Sequence, residues 1–222
     1  TKAAMLTHLN MLSNQFQIME PIRVALEEGK ETVIAALPLY HVFCLTVNCL
    51  GFFHFGAHNV LITNPRETDA LLKTLTEYRP SVLILVSTLA AALLERPGFS
   101  EVDFSPLKLS VAGGMALRQS VAEEWEARTG AQMVEGYGLT EASPVVSVNP
   151  TVGTARLGTI GLPLPSTLVE IRDEDGNPVP IGQRGELMIL GPQVMRGYWN
   201  KPEETAKTID PDGWLHSGDV AI

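Results

Sequence analysis

Only two cysteines occur in the 222 residues, Cys44 and Cys49. That spacing forms neither a CxxC pair nor a disulfide framework. They read as buried, reduced core residues of a cytosolic protein. Positive charge is also scarce: 16 Lys and Arg stand against 25 Asp and Glu, a formal net charge of −9. Such a balance argues against a nucleic-acid polymer or an anionic membrane surface as partner. A small anionic ligand would have to be held locally, by backbone N–H groups, a metal ion or a few placed cations.

Charge vanishes altogether from Thr32 to Pro65, where no Lys, Arg, Asp or Glu is found. An apolar stretch of that length raises the question of a membrane span. Pro38, His41, Asn48, His54, His58 and Asn59, with breaks at Gly51 and Gly56, favour strand, buried helix, strand instead. Internal repeats and low-complexity segments are absent. So is a Walker A string, Gly-x4-Gly-Lys-Ser/Thr. Thr1 follows no methionine and Gly218 to Ile222 stops in an apolar run, so the chain reads as a piece of a longer protein.

What is present is an alternation of strands and helices. A helix is expected from His8 to about Met19, with Leu9, Leu12, Phe16 and Met19 on its inner face and Pro21 preventing much extension. Thr32 to Leu37 reads as a buried strand, and Asn59 to Thr63 as another. Glu67 to Tyr78 follows as an amphipathic helix, with Ala70, Leu71, Leu75 and Tyr78 inward. Ser81 to Val86 is a strand, and Ser87 or Thr88 is placed to cap the helix reaching Leu94. Leu109 to Ala112 is a strand ending at Gly113-Gly114, and Leu117 to Arg128 a helix. This is the α/β pattern, with a mostly parallel sheet flanked by helices.

The texture changes near Pro150, after which helices are expected to stop. Leu168 to Arg172, an Asp175-Gly176 turn and Glu186 to Leu190 read as a hairpin. Thr159 to Pro165 reads as loop or edge strand. Residues 1–150 are therefore expected to form an α/β part and 151–222 a β-rich, barrel-like part.

The chain is organised around Glu135-Gly136-Tyr137-Gly138-Leu139-Thr140-Glu141. The apolar run Gln132-Met133-Val134 leads into it as a strand. Gly136 and Gly138 allow a sharp turn and a close approach of backbone to ligand. Tyr137 offers a ring face, and Thr140 with Glu141 offers hard oxygens suited to Mg²⁺. A dinucleotide fingerprint fails here, because Glu141 stands where a third small residue is required. A nucleotide triphosphate site is one reading, and a Gly-rich turn carrying a surface Glu is the other. Gly113-Gly114 ends a second strand and either borders the same base or merely turns the chain. Asp219 either accepts from both hydroxyls of a ribose or is a turn residue.

Together these strings resemble the adenylate-forming enzymes. Carrying the resemblance are Tyr137 to Glu141, Gly113-Gly114, Trp214-Leu-His-Ser-Gly-Asp219 and Lys2-Ala-Ala-Met-Leu-Thr-His8. Leu37 to His41, Leu61 to Arg66 and Gly191-Pro-Gln-Val-Met-Arg-Gly-Tyr-Trp199 resemble the bacterial long-chain fatty-acyl-CoA synthetases in particular. The resemblance runs over essentially the whole chain. It implies a fatty acid carboxylate attacking the α-phosphorus of ATP, with Mg²⁺, and coenzyme A then opening the acyl-adenylate. Transfer to a carrier protein and a non-catalytic nucleotide-binding module are the alternatives.

By that resemblance Tyr137 stacks on adenine, Gly113, Gly114, Glu135 and Gly136 wall its pocket, and Gly138 lies beside it. Thr140 contacts phosphate, Glu141 binds Mg²⁺ with Thr140, and Asp219 holds the ribose. His41 lines the acyl entrance, although an ordinary core histidine is the competing reading. Lys2 stands where the family has the lysine after its phosphate loop, with Ala3 in place of glycine, and is counted with Thr140 and Glu141 as catalytic. Residues around Leu45 to Phe55 supply acyl-chain walls or plain core. The phosphate loop and the mobile C-terminal domain are missing from the chain, which alone is expected to be inactive. A cytoplasmic location, peripheral contact with the inner membrane face and a homodimer complete the expectations.

Overall fold

Buried strands form where apolar runs fall between polar breaks. The computed structural model describes residues 2–153 and 155–222. Helix α1 (His8–Ala25) leads to β1 (Thr32–Ala35), then to the short α2 (Val42–Cys44), which passes directly into a π-helical segment, Leu45–Phe52. There follow β2 (His58–Leu61), α3 (Thr68–Tyr78), β3 (Val82–Leu85), α4 (Ser87–Leu94), β4 (Leu109–Ala112), α5 (Gln119–Thr129) and β5 (Met133–Gly138). Strands β6 (Val145–Val148) and β7 (Leu162–Pro163) complete a seven-stranded sheet of order β2-β1-β3-β4-β5-β6-β7. Strands β1 to β5 run parallel; β6 and β7 pair antiparallel.

Period-two alternation sends neighbouring side chains to opposite faces of this sheet. Ile34, Leu83, Leu85 and Met133 meet α3, α4 and α5 around Trp125, whereas Val33, Val82, Ile84 and Val134 meet α1 and the π-helical segment around Phe52 and Phe55. Both faces are covered, as a mostly parallel sheet requires. Cys44 is a free thiol donating to the Leu37 carbonyl, and burial pushes it up to about 11, so it stays protonated and structural. Cys49, also free, is only partly buried. Among the described residues no helix is long and apolar enough to cross a membrane.

A second, three-stranded antiparallel sheet holds β8 (Leu168–Arg172), β9 (Gly185–Leu190) and β10 (Leu215–Ala221) in the order β10-β9-β8. The expected hairpin is there, with Leu168 opposite Leu190 and Arg172 opposite Glu186. The first sheet extends to Pro163, so strands on both sides of Pro150 share it. A third apolar cluster, including Val146, Leu187, Ile189 and Tyr198, packs the second sheet against the first.

Several expectations are corrected. α1 runs through Pro21 to Ala25, and Leu9, Leu12 and Phe16 face outward at 69%, 50% and 55% exposure. Its inner face is partly polar. The Asn14 side chain donates to the Val145 carbonyl and accepts from the Val145 N–H, and Gln17 donates to the Pro165 carbonyl. These bonds outweigh the apolar spacing in setting the helix's rotation. In α3, Leu71, Leu72 and Leu75 are buried while Ala70 and Tyr78 are exposed. Val86 is the N-cap of α4 and no side chain caps it; the Ser87 hydroxyl accepts from the Arg118 N–H instead. Helices do not stop at Pro150, since α6 (Pro202–Thr208) follows β9.

Candidate nucleotide and acyl site

The parallel strands end on one edge of the sheet, where α/β folds bind ligands. His41 follows β1, Gly113-Gly114 follows β4, and Gly136 to Glu141 lie at the end of β5 or just past it. Gly136 and Gly138 do not turn the chain as expected: both remain in β5, outside the left-handed region. Gly138 is required for close approach, because a Cβ there would lie 2.1 Å from the Pro144 carbonyl oxygen. Gly113 has a similar reason, with a Cβ meeting the Phe43 ring at 2.9 Å.

These loops enclose a cavity of about 350 Å³. His41, Gly113, Gly114, Gly136, Tyr137, Gly138, Thr140 and Glu141 all line it. Beyond this polar mouth the walls are apolar: Ile18, Ile22, Val47, Phe52, Ile84 and Val111. Val47 and Phe52 belong to the π-helical segment, and the rest of the Leu45 to Phe55 stretch is absent from the lining. His41 caps α2, its Nδ1 accepting the Phe43 N–H at 3.3 Å, which leaves Nε2 available.

Tyr137 donates its hydroxyl to Asp219 Oδ2 at 2.5 Å. Burial and that carboxylate hold the Tyr137 hydroxyl well above the ordinary tyrosine range, so it is a donor throughout the physiological interval. Asp219 reaches this position through an irregularity in β10 between His216 and Val220, where Glu186 accepts from the Gly218 N–H and pairs with His216 Nδ1. Ring and carboxylate are thus delivered together, although 82 residues separate them.

Glu141 sits in a short 3₁₀ turn, Thr140–Ala142. Its backbone carbonyl accepts from the Met195 N–H at 2.7 Å, and its Oε1 accepts from the Tyr198 hydroxyl at 2.6 Å. Among the described residues Oε2 accepts no hydrogen bond, and Thr140 and Glu141 both line the cavity. One carboxylate and one hydroxyl fit Mg²⁺, which typically takes few protein ligands plus water and substrate phosphate. Among the described residues no group of three or more His, Cys, Asp or Glu gathers to hold a metal by itself.

Three candidates stand away from the cavity wall: Glu135, Lys2 and Asp219, the last meeting it only through Tyr137. The Glu135 carboxylate points beneath the glycine turn, Oε1 accepting the Leu117 N–H at 2.9 Å, and so anchors the segment carrying Gly113 and Gly114. Lys2 lies with Nζ 4.4 Å from the centroid of the Tyr198 ring and 3.8 Å from Glu204. Tyr198 therefore touches Lys2 with its ring and Glu141 with its hydroxyl. Sequence reading missed that tyrosine's part, although the string Gly191 to Trp199 had been singled out. The same string pairs with the opening segment, Trp199 N–H donating to the Ala3 carbonyl and Met5 N–H to the Gly197 carbonyl.

A family model described as AMP-binding enzyme matches residues 1–199. The long-chain-fatty-acid–CoA ligase of Escherichia coli O6:H1 is 51% identical over 221 residues, covering 100% of this chain and 39% of the relative. That of Bacillus subtilis strain 168 is 38% identical over 99% of this chain and 39% of its own length. Among solved structures, apo MatB from Rhodopseudomonas palustris superposes with a TM-score of 0.89 at 31% identity, covering 99% of this chain and 42% of MatB. The chain thus spans about two fifths of the length of the relatives it matches.

Proposed function

Because the chain belongs to the AMP-binding enzyme family, we propose that the whole protein activates a long-chain fatty acid with ATP and passes the acyl group to coenzyme A. One observation carries this reading: a single cavity joins a polar mouth built from glycine backbone, Tyr137, Thr140 and Glu141 to an apolar interior. The mouth suits a nucleotide and the interior a hydrocarbon chain. Each buried CH₂ is worth about 0.8 kcal/mol.

In the first step a carboxylate oxygen bonds to the α-phosphorus of ATP as the bond to pyrophosphate breaks. Coenzyme A's thiol then attacks the acyl carbonyl and AMP leaves. Such substitution depends on in-line placement and charge neutralisation more than on covalent help from the protein. Tyr137 offers its ring to adenine between the backbones of Gly113-Gly114 and Gly136-Gly138, and Asp219 accepts from the ribose hydroxyls. Glu135 keeps the first of those backbones in place. Thr140 donates to phosphate, and His41 borders the route from the mouth to the acyl chain. Glu141 with Thr140 would hold Mg²⁺, which when bound offsets phosphate charge. Lys2 adds a cation behind Tyr198. We assign residues 1–150 to nucleotide and acyl binding and 151–222 to a supporting β-rich part. The reading carries a cytoplasmic location with peripheral contact with the inner membrane face, and a homodimer.

The test is ATP–pyrophosphate exchange by the full-length protein with palmitate and Mg²⁺, beside acyl-CoA formation. Exchange that requires palmitate and ends in the thioester is expected. Exchange with no consumption of coenzyme A would send the acyl group to a carrier protein instead. No exchange with any fatty acid would sink the reading.

A further inference from the structure

The strand that carries Asp219 is irregular, and one side chain from the neighbouring strand spans the irregularity. His216 pairs with Met188 and Val220 with Glu186, so Ser217, Gly218 and Asp219 stand on β10 where β9 has Leu187 alone. In an unbroken ladder Asp219 would face Gly185. The bulge instead leaves it exposed and within reach of the Tyr137 hydroxyl. Bulges beside a site commonly re-aim a side chain in this way. Gly218 supplies the left-handed turn, with φ of 75°, although a Cβ there would meet nothing within 4 Å. Conformation, not space, asks for glycine.

Glu186 holds the bulge with both of its oxygens. Oε1 accepts the Gly218 N–H at 2.9 Å, and Oε2 lies 2.9 Å from His216 Nδ1. One oxygen thus grips the middle of the bulge and the other its entry. Arg172 stands opposite Glu186 on β8, but its guanidinium goes to Glu170 at 2.8 Å and Asp210 at 3.4 Å. The Glu186 carboxylate is therefore directed at β10 and not across its own hairpin. Inside the bulge the Ser217 hydroxyl accepts the Asp219 N–H at 3.0 Å. With side chains 34% and 39% exposed, Glu186 and His216 gain little as an ion pair alone. What the carboxylate supplies is a charge-assisted bond to a backbone N–H.

We infer that Glu186 is a positioning residue for the nucleotide's ribose, acting on Asp219 through the Gly218 backbone, with His216 fixing the Glu186 carboxylate. This rests on the reading of Asp219 as the ribose ligand. Asp219 is then set from two sides. Tyr137 orients its carboxylate from the first sheet, and Glu186 fixes its main chain from the second. Without Glu186 the bulge can relax toward regular pairing and draw Asp219 away, although no group in contact with nucleotide has been changed. The loss should fall on recognition of the ribose and leave the fatty acid alone.

The experiment measures kcat/KM for ATP and for 2′-deoxy-ATP in the full-length protein at saturating palmitate. Glu186→Ala is expected to lower the preference for ATP about fivefold, the worth of one ordinary hydrogen bond. The change should lie in KM for ATP, with KM for palmitate unmoved. Glu186→Gln keeps an oxygen for the Gly218 N–H and should recover most of the preference. Glu186→Asp, one methylene short of that N–H, should resemble Glu186→Ala while keeping the charge, and serves if the alanine variant does not fold. In an Asp219→Ala background Glu186→Ala should remove no further preference, because both act through one contact. Equal losses with the two nucleotides, or additive losses in the double variant, would make Glu186 a brace of the strand only and overturn the inference. Preference lost in Asp219→Ala but kept in Glu186→Ala would overturn it while leaving the ribose reading standing. Preference intact in Asp219→Ala would overturn the ribose reading and the inference with it.

Discussion

The Tyr198 hydroxyl donates to Glu141 Oε1 at 2.6 Å from a ring only 4% exposed. Met195, three residues earlier in the same segment, donates to the backbone of Glu141. One loop therefore fixes both the main chain and the carboxylate of Glu141, the residue proposed above to take Mg²⁺. Removing the hydroxyl in Tyr198→Phe should free the rotamer without emptying the pocket. The Mg²⁺ concentration giving half-maximal ATP–pyrophosphate exchange is expected to rise about ten- to a hundredfold in the full-length protein, consistent with a loss of about 1.5–3 kcal/mol for a bond to a charged group. Glu141→Gln should lower exchange itself by about 10²–10³-fold while fatty-acid binding persists. An unchanged Mg²⁺ requirement in Tyr198→Phe would show that the loop does not orient the carboxylate.

The same pair has a pH signature. Burial, with the Glu141 carboxylate, pushes Tyr198 up to about 12. The folded value lies above the unfolded one, about 10, so the pair's stabilisation is complete below pH about 10 and is lost as pH climbs toward about 12. Tyr137, raised by burial and Asp219, titrates in the same direction. Urea midpoints between about pH 9 and 12 should therefore fall steeply, and less steeply in Tyr198→Phe. Parallel curves would contradict the assignment.

Asp219 is expected to act through the ribose. Its Oδ2 already accepts from Tyr137, so the carboxylate is oriented before ligand arrives. Asp219→Ala should weaken ATP by about 1.5–3 kcal/mol and erase most of the discrimination against 2′-deoxy-ATP. Equilibrium binding of both nucleotides to parent and variant measures this. A deoxy penalty retained in the variant would place the ribose elsewhere.

Glu135 should matter for stability as well as binding. Its carboxylate is the acceptor for the buried Leu117 N–H. Glu135→Ala strands that donor at a cost of about 1–3 kcal/mol, whereas Glu135→Gln keeps an acceptor and should lose less. Urea unfolding ranks the two. Equal losses would mean that packing, not the hydrogen bond, is what the side chain supplies.

At the opposite end of the sheet, Glu31 is 2% exposed and is held by Lys108 Nζ at 2.8 Å and the Glu27 N–H at 2.7 Å. Burial pushes its carboxyl up, but Lys108, Ser81 and the Glu27 N–H outweigh burial and hold it below the ordinary glutamate value. Its contribution is therefore present above pH about 4.3 and is lost as pH falls through the lower folded value. Lys108→Met should cost about 2 kcal/mol at neutral pH, less than the ~3–5 of a wholly buried pair because Lys108 is 39% exposed. Acid unfolding of the variant should begin at higher pH. An unmoved acid midpoint would show that Glu31 is neutral in the folded chain.

The succession of strands and helices, the mostly parallel sheet and the position of the glycine motifs could be read from the chain, because each buried strand is an apolar run stopped by Gly, Pro or a polar residue; the order of the strands in the sheet could not. The rotation of α1 could not. Asn14 and Gln17 are buried by partners 131 and 148 residues away, and nothing local announces them. α6 escaped because it buries no residue and so shows no apolar period, yet Pro202 at its start and Glu203-Glu204 in its first turn were usable signals. Tyr198 lay in a string already marked, but its role exists only once Ala4 bridges to it and Glu141 comes within reach.

The stitching of the chain's opening to the stretch around Tyr198 sets an order of events in folding. Asn10 donates to the carbonyls of Pro192 and Val194 across 182 and 184 residues, and Trp199 donates to Ala3. Closing a loop costs entropy that grows with its length, and contacts of this span are among the last to repay it. The parallel sheet, whose neighbours are nearer in sequence, can assemble first with Glu141 still unrestrained. The Glu141 carboxylate is thus oriented only at the final closure. A chain emerging from the ribosome would carry a formed sheet well before it carried a competent mouth.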